Sequence, residues 1–180
     1  ENLYIIGTMN TADKSLVQMD EALRRRFGFE ELMPEPYLLD ERYEELSVPK
    51  SDADNYKHIL VELNKKIVDG KDRKKQYRDK QIGHSYFWNI KNNNDLRFVI
   101  KYKIIPLLQD YFYDDYEEIK RVLGKKIIGV DNRPTELLDK GRETELKDAL
   151  LNFLDGKDQS ETKEEQPETE TKEEQEEDEE

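Results

Sequence analysis

The final segment of the chain contains no large apolar side chain, and this limits which part of the chain can form a packed core. Residues 155–180 consist only of Glu, Asp, Lys, Gln, Thr, Ser, Pro and Gly. Such a composition cannot bury enough apolar surface to offset the conformational entropy lost on ordering. We therefore predict a disordered acidic tail at 155–180 and a folded body within residues 1–154. The tail is either a solubilising extension or a functional segment, such as an interaction arm or an electrostatic guard.

Charge is concentrated in that tail. The formal net charge of the chain is −13, and residues 155–180 hold 14 acidic residues and 3 lysines, a net of −11. Residues 1–154 are therefore nearly neutral, with a net charge of −2. The basic stretch KDRKKQYRDK at 71–80 is either a solvated face or a phosphate-binding segment, and Asp72 and Asp79 dilute its positive charge.

Several classes of protein and site are excluded by composition. The 180 residues include no cysteine and two histidines, His58 and His84, so disulfides, thiolate metal sites and histidine clusters are excluded. No apolar run approaches the roughly 18 residues of a membrane span, and the start of the chain does not resemble a secretory signal. We expect a soluble, cytoplasmic protein without membrane contact.

The first 36 residues have the pattern of an α/β layered domain. LYII at 3–6 predicts a buried strand, and FEELM at 29–33 predicts a second one. Between them, Ser15 and Gln18 form a capping box that begins a helix. Its apolar stripe ends at Phe27, just before Gly28. The order strand, polar loop, helix and strand is the repeating unit of α/β folds.

After Pro36 the pattern becomes helical. Apolar periodicity predicts helices over 38–46, 56–68, 96–113 and 116–123, and a last amphipathic helix that includes Leu146 to Leu154. Pro106 removes a backbone donor and is expected to kink the third of these helices. KKIIGV at 125–130 is compatible with a small strand.

Three consecutive arginines, Arg24, Arg25 and Arg26, end the first predicted helix. Because a helix turns about 100° per residue, Arg25 points away from the core if Leu23 faces it. A guanidinium in that position is suited to a phosphate bound by a neighbouring subunit. The alternative is a set of solvated arginines near a helix C-terminus, where positive charge is favourable.

Two further segments contain candidate polar groups. In TMNTAD at 8–13, directly after the first predicted strand, Asn10 is suited to holding a nucleophilic water and Asp13 to orienting its neighbours. The alternative is a set of ordinary turn and cap residues. In IGHSYFWNI at 82–90, His84 and Ser85 either touch a nucleotide or partner, or belong to a core cluster with satisfied polar tips.

The same segments resemble one family. The run GTMNTADKSLVQMDEALRRRF at 7–27 resembles the signature and arginine-finger region of McrB-type AAA+ nucleotidases, which are motor subunits of modification-dependent restriction systems. IGHSYFW and the run YKIIPLLQDYFYDDYEEIKRVLG at 102–124 resemble the helical lid of that family. The resemblance extends over roughly residues 2–130.

The resemblance implies a role for each candidate residue. Asn10 corresponds to the sensor asparagine that positions the attacking water, and Asp13 lies in the same signature. Lys14 replaces the arginine usual in the family, so a planar two-pronged contact is replaced by a point charge. Arg25 and Arg26 correspond to finger arginines offered to the nucleotide of the adjacent subunit. His84 and Ser85 are the candidate nucleotide contacts of the lid.

The resemblance also implies a division of the chain and a set of partners. Residues 1–36 correspond to the end of an AAA+ core, 37–154 to the lid and 155–180 to the tail. The complete protein is expected to form a homo-oligomeric ring, to hydrolyse GTP or ATP with Mg²⁺, and to drive an endonuclease of the McrC kind on DNA, which it contacts through other regions. No Walker phosphate loop or magnesium-binding acidic pair is present in the sequence, so we expect the chain alone to be inactive.

Two other functions fit part of the pattern. An ATP-driven remodelling ATPase of the MoxR kind shares the sensor and finger but acts without a nuclease. A non-enzymatic helical interaction module uses the basic segment 71–80 and the acidic tail as docking surfaces. Nucleotide preference distinguishes the first alternative, and a phosphate loop encoded upstream argues against the second.

Overall fold

The computed structural model describes residues 2–9, 21–70 and 77–157, with the backbone alone at Glu21 and Leu23. Within these ranges the secondary structure is almost entirely helical, and the only β pairing is an isolated antiparallel bridge between Ile128 and Pro134. The α-helices are α1 Glu21–Arg24, α2 Leu38–Glu45, α3 Lys50–Val68, α4 Asn93–Val99, α5 Ile105–Phe112, α6 Tyr116–Leu123 and α7 Glu143–Leu154. No helix in the described ranges has the length and apolar character needed to cross a membrane.

Helix α3 is the longest element and lies at the centre of the body. Leu60, Leu63 and Ile67 are fully buried along one face, as the periodicity predicts. Burial of each such side chain contributes about 1.5–3 kcal/mol. The helix begins six residues before the predicted start, directly after Pro49, because its first turns are polar and show no apolar pattern. The chain then passes Gly70, where a β-carbon would lie 2.6 Å from a ring carbon of Tyr77.

Helices α4 and α5 form one continuous rod interrupted by a π-helical segment, Ile100–Ile104. The side chain of Asn92 caps the start of the rod by accepting hydrogen bonds from the N–H groups of Asn94 and Asp95. The π-helical segment ends just before Pro106, with the N–H of Ile105 bonded to the carbonyl of Ile100. The kink expected at Pro106 stays a prediction. A wider turn just before proline relieves the conflict between its ring and the preceding carbonyl.

Helix α6 has the bounds that the sequence predicts, and Asp115 caps its start. It ends at Gly124, whose φ of +91° is a conformation that L side chains rarely adopt. The small strand proposed at 125–130 is wrong. The N–H groups of Ile127 and Ile128 both bond to the carbonyl of Gly124, which folds this segment into a turn.

One hydrophobic core joins α2 to α7. Helix α3 contacts α2, α6 and α7, and α4 packs against α7. Fully buried side chains from every layer meet there, including Leu39, Tyr56, Phe87, Leu96, Leu108, Ile119, Val122, Leu138, Leu146 and Leu150. The predicted helices 38–46, 96–113 and the last amphipathic helix are confirmed as parts of this body.

The amino-terminal stretch differs from the prediction. Leu3 is 83% and Ile6 is 93% exposed, so the expected buried strand at 3–6 is not buried. Residues 29–33 also form no strand. A strand needs a paired neighbour, and none lies within the described part of the chain. The α/β architecture of residues 1–36 therefore stays a prediction.

The first predicted helix also ends earlier than expected. Helix α1 ends at Arg24, and Phe27 lies in the following bend, 41% exposed rather than in a buried stripe. The capping box at Ser15 and Gln18, most of the basic stretch 71–80 and the predicted tail from residue 158 onward lie outside the described residues.

Candidate functional site

The structure describes four of the seven predicted site residues. Asn10, Asp13 and Lys14 lie outside the described residues. Arg25 and Arg26 lie in the exposed turn that follows α1. His84 and Ser85 are the first two residues of a short 3-10 helix, His84–Phe87.

The Arg24 guanidinium, beside the two finger candidates, lies 5.5 Å from the centre of the Phe29 ring. This distance is typical of a cation–π contact. Arg24 therefore has an intramolecular partner on the segment that follows α1.

His84 joins the lid-side segment to the linker that precedes α2. The backbone N–H of Glu35 donates a hydrogen bond to Nδ1 of His84, at 3.1 Å. Because Nδ1 acts as the acceptor, the neutral ring has its proton on Nε2. His84 thus anchors the linker with one nitrogen and presents an N–H donor with the other.

Glu35 is engaged through its side chain as well. The hydroxyl of Tyr37 donates to Oε2 of Glu35 at 2.8 Å. This hydrogen bond, together with the charge of Glu35, raises the pKa of Tyr37 above its usual value. Just before α2, the backbone of Glu35 is therefore hydrogen-bonded to the His84 imidazole, and its carboxylate is hydrogen-bonded to Tyr37.

Trp88 lies near the side chains of Arg42 and His84. The guanidinium carbon of Arg42 is 5.8 Å from the centre of the Trp88 ring, and the His84 ring centre is 6.3 Å away on a tilted plane. Arg42 also donates from Nε to the carbonyl of Trp88 at 3.3 Å and from Nη2 to Oδ1 of Asn89 at 2.8 Å. The guanidinium of Arg42, on α2, therefore binds the end of the segment 82–90, at Trp88 and Asn89.

Buried hydrogen bonds fix the segment from below. Asn64 of α3, only 6% exposed, donates to the carbonyl of Ile82 at 2.9 Å and accepts from the N–H of Ile82 at 2.7 Å. The hydroxyl of Tyr43 donates to the carbonyl of Phe87 at 3.0 Å, and burial raises the pKa of Tyr43. Such a supporting shell holds His84 and Ser85 in one orientation.

A cavity of about 490 Å³ lies between the linker that precedes α2 and the end of α3. Pro34 and Pro36, on either side of Glu35, form part of its wall, and Val61 and Arg78 are among the residues opposite. Its volume is within the range of small-molecule sites. We refer to this cavity together with Glu35, His84 and Ser85 as the linker corner.

The core interpretation of residues 82–90 holds for Phe87, which is fully buried, whereas Ser85 is exposed and Trp88 is 36% exposed. A contact of His84 and Ser85 with a nucleotide or partner stays a prediction. Sequence reasoning missed Arg42, Glu35 and Asn64. Of these, only Asn64 has a clear signal, because it is a carboxamide within the apolar stripe of α3.

Comparison with known proteins identifies the family of this body. Residues 55–120, from α3 to α6, match the family described as McrB, alpha-helical lid domain. The chain is also 36% identical over 128 residues to the Type IV methyl-directed restriction enzyme EcoKMcrB subunit of Escherichia coli (strain K12). The helical lid of this chain is of the McrB type. The alignment covers 64% of this chain and 26% of the relative, so the chain spans about a quarter of the relative's length.

The identification confirms the predicted helical lid. The linker corner joins residues 34–37, which lead into α2, to His84 and Ser85 within the matched lid region. In the described residues of the chain, no group of three or more His, Cys, Asp or Glu side chains is placed to hold a metal ion.

Proposed function

We propose that this chain is part of an McrB-type subunit that hydrolyses GTP or ATP with Mg²⁺ within a homo-oligomeric ring. In this proposal residues 1–36 end the nucleotide-binding core and 37–154 form its lid. The observation that supports it best is the match of residues 55–120 to the McrB lid, together with a relative named as a restriction enzyme subunit. The MoxR kind of ATPase has no such support.

The donors of the chain fit a phosphate group. Arg25 and Arg26 have exposed side chains, and His84, which accepts from Glu35 at Nδ1, has an Nε2–H donor. Guanidinium groups bind phosphate oxygens in a two-pronged geometry that lysine lacks. When bound, the nucleotide supplies the γ-phosphoryl group that is transferred to water.

Each residue then has a separate task. Asn10 orients the attacking water and Asp13 orients the loop, while Lys14 provides a point charge near the phosphates. Arg25 or Arg26 enters the site of the neighbouring subunit and offsets the negative charge that develops on the transferred group. His84 and Ser85 bind the nucleotide from the lid side, with His84 held by Glu35.

The arginine assignment is tested in the full-length subunit. Arg25→Ala and Arg26→Ala are expected to lower hydrolysis by about 10³-fold or more, in line with known arginine fingers, while nucleotide binding is preserved. Arg24→Ala is the matched control, since Arg24 contacts Phe29 within its own chain. Mixing the Arg25→Ala subunit with a subunit that cannot bind nucleotide should restore part of the activity. A lack of recovery on mixing would mean that the arginine acts within its own subunit.

Two variants separate the two nitrogens of His84. His84→Asn keeps an acceptor near the position of Nδ1 and so preserves the contact with Glu35, but it removes the Nε2–H donor. His84→Gln keeps a donor near Nε2 and removes the acceptor. If His84 binds nucleotide, His84→Asn raises the nucleotide Kd more than His84→Gln does. The opposite order would assign His84 a purely structural role at the linker.

We also propose that the complete subunit drives an endonuclease of the McrC kind on DNA through regions outside this chain. The support is the name of the relative, which describes a methyl-directed restriction enzyme. The full-length subunit and its nuclease are expected to cleave methylated DNA only when hydrolysable nucleotide is present. Cleavage that is indifferent to methylation or nucleotide would contradict this part of the proposal.

A further inference from the structure

A second concave surface lies on the body, and none of the residues assigned to nucleotide binding is among its lining residues. It is a groove of about 400 Å³ between the end of α3, the end of α6 with its following turn, and α7. Five basic residues line it, namely Lys66, Lys120, Arg121, Lys125 and Lys126. Glu117 is the acidic residue in the lining. We call this surface the basic groove.

Two of the basic residues in the groove form ion pairs within α6. Lys120 lies 3.0 Å from Oε1 of Glu117, and Nε of Arg121 lies 2.8 Å from Oε2 of Glu118. Five basic side chains and one acidic side chain, Glu117, line the groove, in a body of net charge −2. Concave surfaces lined by one sign of charge concentrate counter-charges.

The positive groups are held close together by packing. Nη1 of Arg121 donates to the carbonyl of Lys66 at 2.6 Å, and Nη2 of Arg121 is buried without a hydrogen-bond partner. The ammonium of Lys66 lies 4.3 Å from the centre of the Phe153 ring. Desolvation, followed by the charge of Arg121, lowers the pKa of Lys66. An anion in the groove would relieve this repulsion.

The chain itself continues from one wall of the groove into an anionic segment. Phe153 of α7 lines the groove, and α7 ends at Leu154. Residues 158–180, which follow, contain 13 acidic residues and 2 lysines, a net charge of −11. At up to about 3.3–3.6 Å per residue, this segment is long enough to reach any part of the groove. A tethered ligand has an effective concentration in the millimolar range, so weak contacts suffice.

We propose that the acidic segment 158–180 binds the basic groove of its own chain. The contact is electrostatic and not sequence-specific, because the segment offers many equivalent carboxylates to a few fixed cations. It keeps the groove occupied, so that any external polyanion must displace the segment before it binds. This role goes beyond nucleotide hydrolysis and does not depend on it.

The absence of cysteine allows a direct test on the whole 180-residue chain. A nitroxide spin label is attached to Thr169→Cys, and the amide signals of the body are compared with the label oxidised and reduced. We expect the signals of residues 120–127 and 149–153 to lose most of their intensity at low salt and to recover at high salt. Loss spread evenly over the body, or centred on another surface, would overturn the proposal.

A pair of charge variants supplies the matched control. Lys125→Glu with Lys126→Glu, both at exposed positions of the groove, is expected to restore the intensities at low salt. Lys91→Glu with Lys103→Glu makes the same change in charge at exposed positions that do not line the groove, and it should leave the broadening in place. Equal recovery with both pairs would show that only the net charge matters, and the proposal would fail. An unchanged thermal midpoint of unfolding confirms that each double variant is folded.

A duplex DNA added to the labelled chain tests the competing occupant. If the segment occupies the groove, duplex DNA at low salt displaces the labelled segment and thereby restores the intensities. A chain that ends at Lys157 then binds the duplex more tightly than the full chain does. If the full chain and the shortened chain bind DNA equally well through residues 120–127, the groove belongs to nucleic acid and the proposal is wrong.

Discussion

Apolar side chains are buried in the helical body but exposed in the amino-terminal stretch. In α3, Leu60, Leu63 and Ile67 are fully buried, whereas in the short apolar run at 3–6 Leu3 and Ile6 are almost fully exposed. Residues 3–6 are a continuous apolar run, and α3 has an apolar stripe along one face. The difference lies in what each can pack against, since α3 is covered by helices of its own chain and residues 3–6 have no paired strand within the described part. An apolar pattern predicts burial only where a complementary surface exists.

The difference also separates two kinds of functional group. His84 is held by Glu35, and the backbone of its segment is bonded to Asn64 and Tyr43, so its orientation is a property of this chain. Arg25 and Arg26 lie in an exposed turn outside the body. If they act as proposed, their orientation depends on a neighbouring subunit.

The largest expected effect contrasts one side chain from each region. Leu63→Ala removes a fully buried side chain and should lower the free energy of unfolding by about 2–5 kcal/mol. Ile6→Ala changes an exposed position and should alter it by less than about 0.5 kcal/mol. Urea unfolding of the 180-residue chain measures both. If Ile6→Ala is as destabilising as Leu63→Ala, residues 3–6 are buried in solution and the contrast does not hold.

A buried hydrogen-bonding position should rank next. Asn64→Leu leaves the N–H and carbonyl of Ile82 buried without partners, at a cost of about 2–4 kcal/mol. Asn89→Leu, which loses only an exposed contact with Arg42, is the control. Urea unfolding gives the stability, and hydrogen exchange of the Ile82 amide reports the local opening. Slow exchange retained in Asn64→Leu would argue against this anchor.

Two glycines separate crowding from backbone strain. Gly124 has φ +91° and a β-carbon there would lie 2.9 Å from Phe153, whereas Gly141 has φ +97° and open space around it. Gly141→Ala should cost about 1–2 kcal/mol from strain alone, and Gly124→Ala about 1 kcal/mol or more beyond that. Equal thermal shifts for the two variants would mean that Phe153 moves aside without penalty.

The smallest expected effect is a pH dependence at the end of the body. Hydrogen bonds from Lys157 and His58 lower the pKa of Asp155 below 3.8. A lowered folded pKa stabilises the protein above the ordinary carboxyl pKa, and the stabilisation is lost as pH falls through the lowered value. Asp155→Asn should therefore lower the thermal midpoint slightly at pH 6 and have less effect near pH 3. A difference that does not change with pH would indicate a packing effect instead.

The helical body was largely predictable because its signals are local. The end of α3 near Gly70 and the bounds of α6 follow from apolar spacing and from glycine. The start of α3 was missed because a polar first turn leaves no pattern, and 125–130 was mistaken for a strand because β-branched residues also occur in buried turns.

The candidate site was less predictable because its contacts are distant in sequence. His84 and Glu35 are 49 residues apart, and Asn64 reaches Ile82 across 18 residues. No periodicity links such pairs. Sequence alone identified the side chains with suitable chemistry, but not the hydrogen bonds that orient them.

The π-helical segment at Ile100–Ile104 has a consequence for insertions and deletions in this lid. Its i→i−5 hydrogen bond accommodates one residue more than an α-helical turn does. A one-residue deletion within this segment can therefore be absorbed by a return to α-helical geometry, which keeps Leu108 and Phe112 on the buried face. The same deletion within α5, which has no wider turn, would rotate every later side chain of that helix by roughly 100° about its axis.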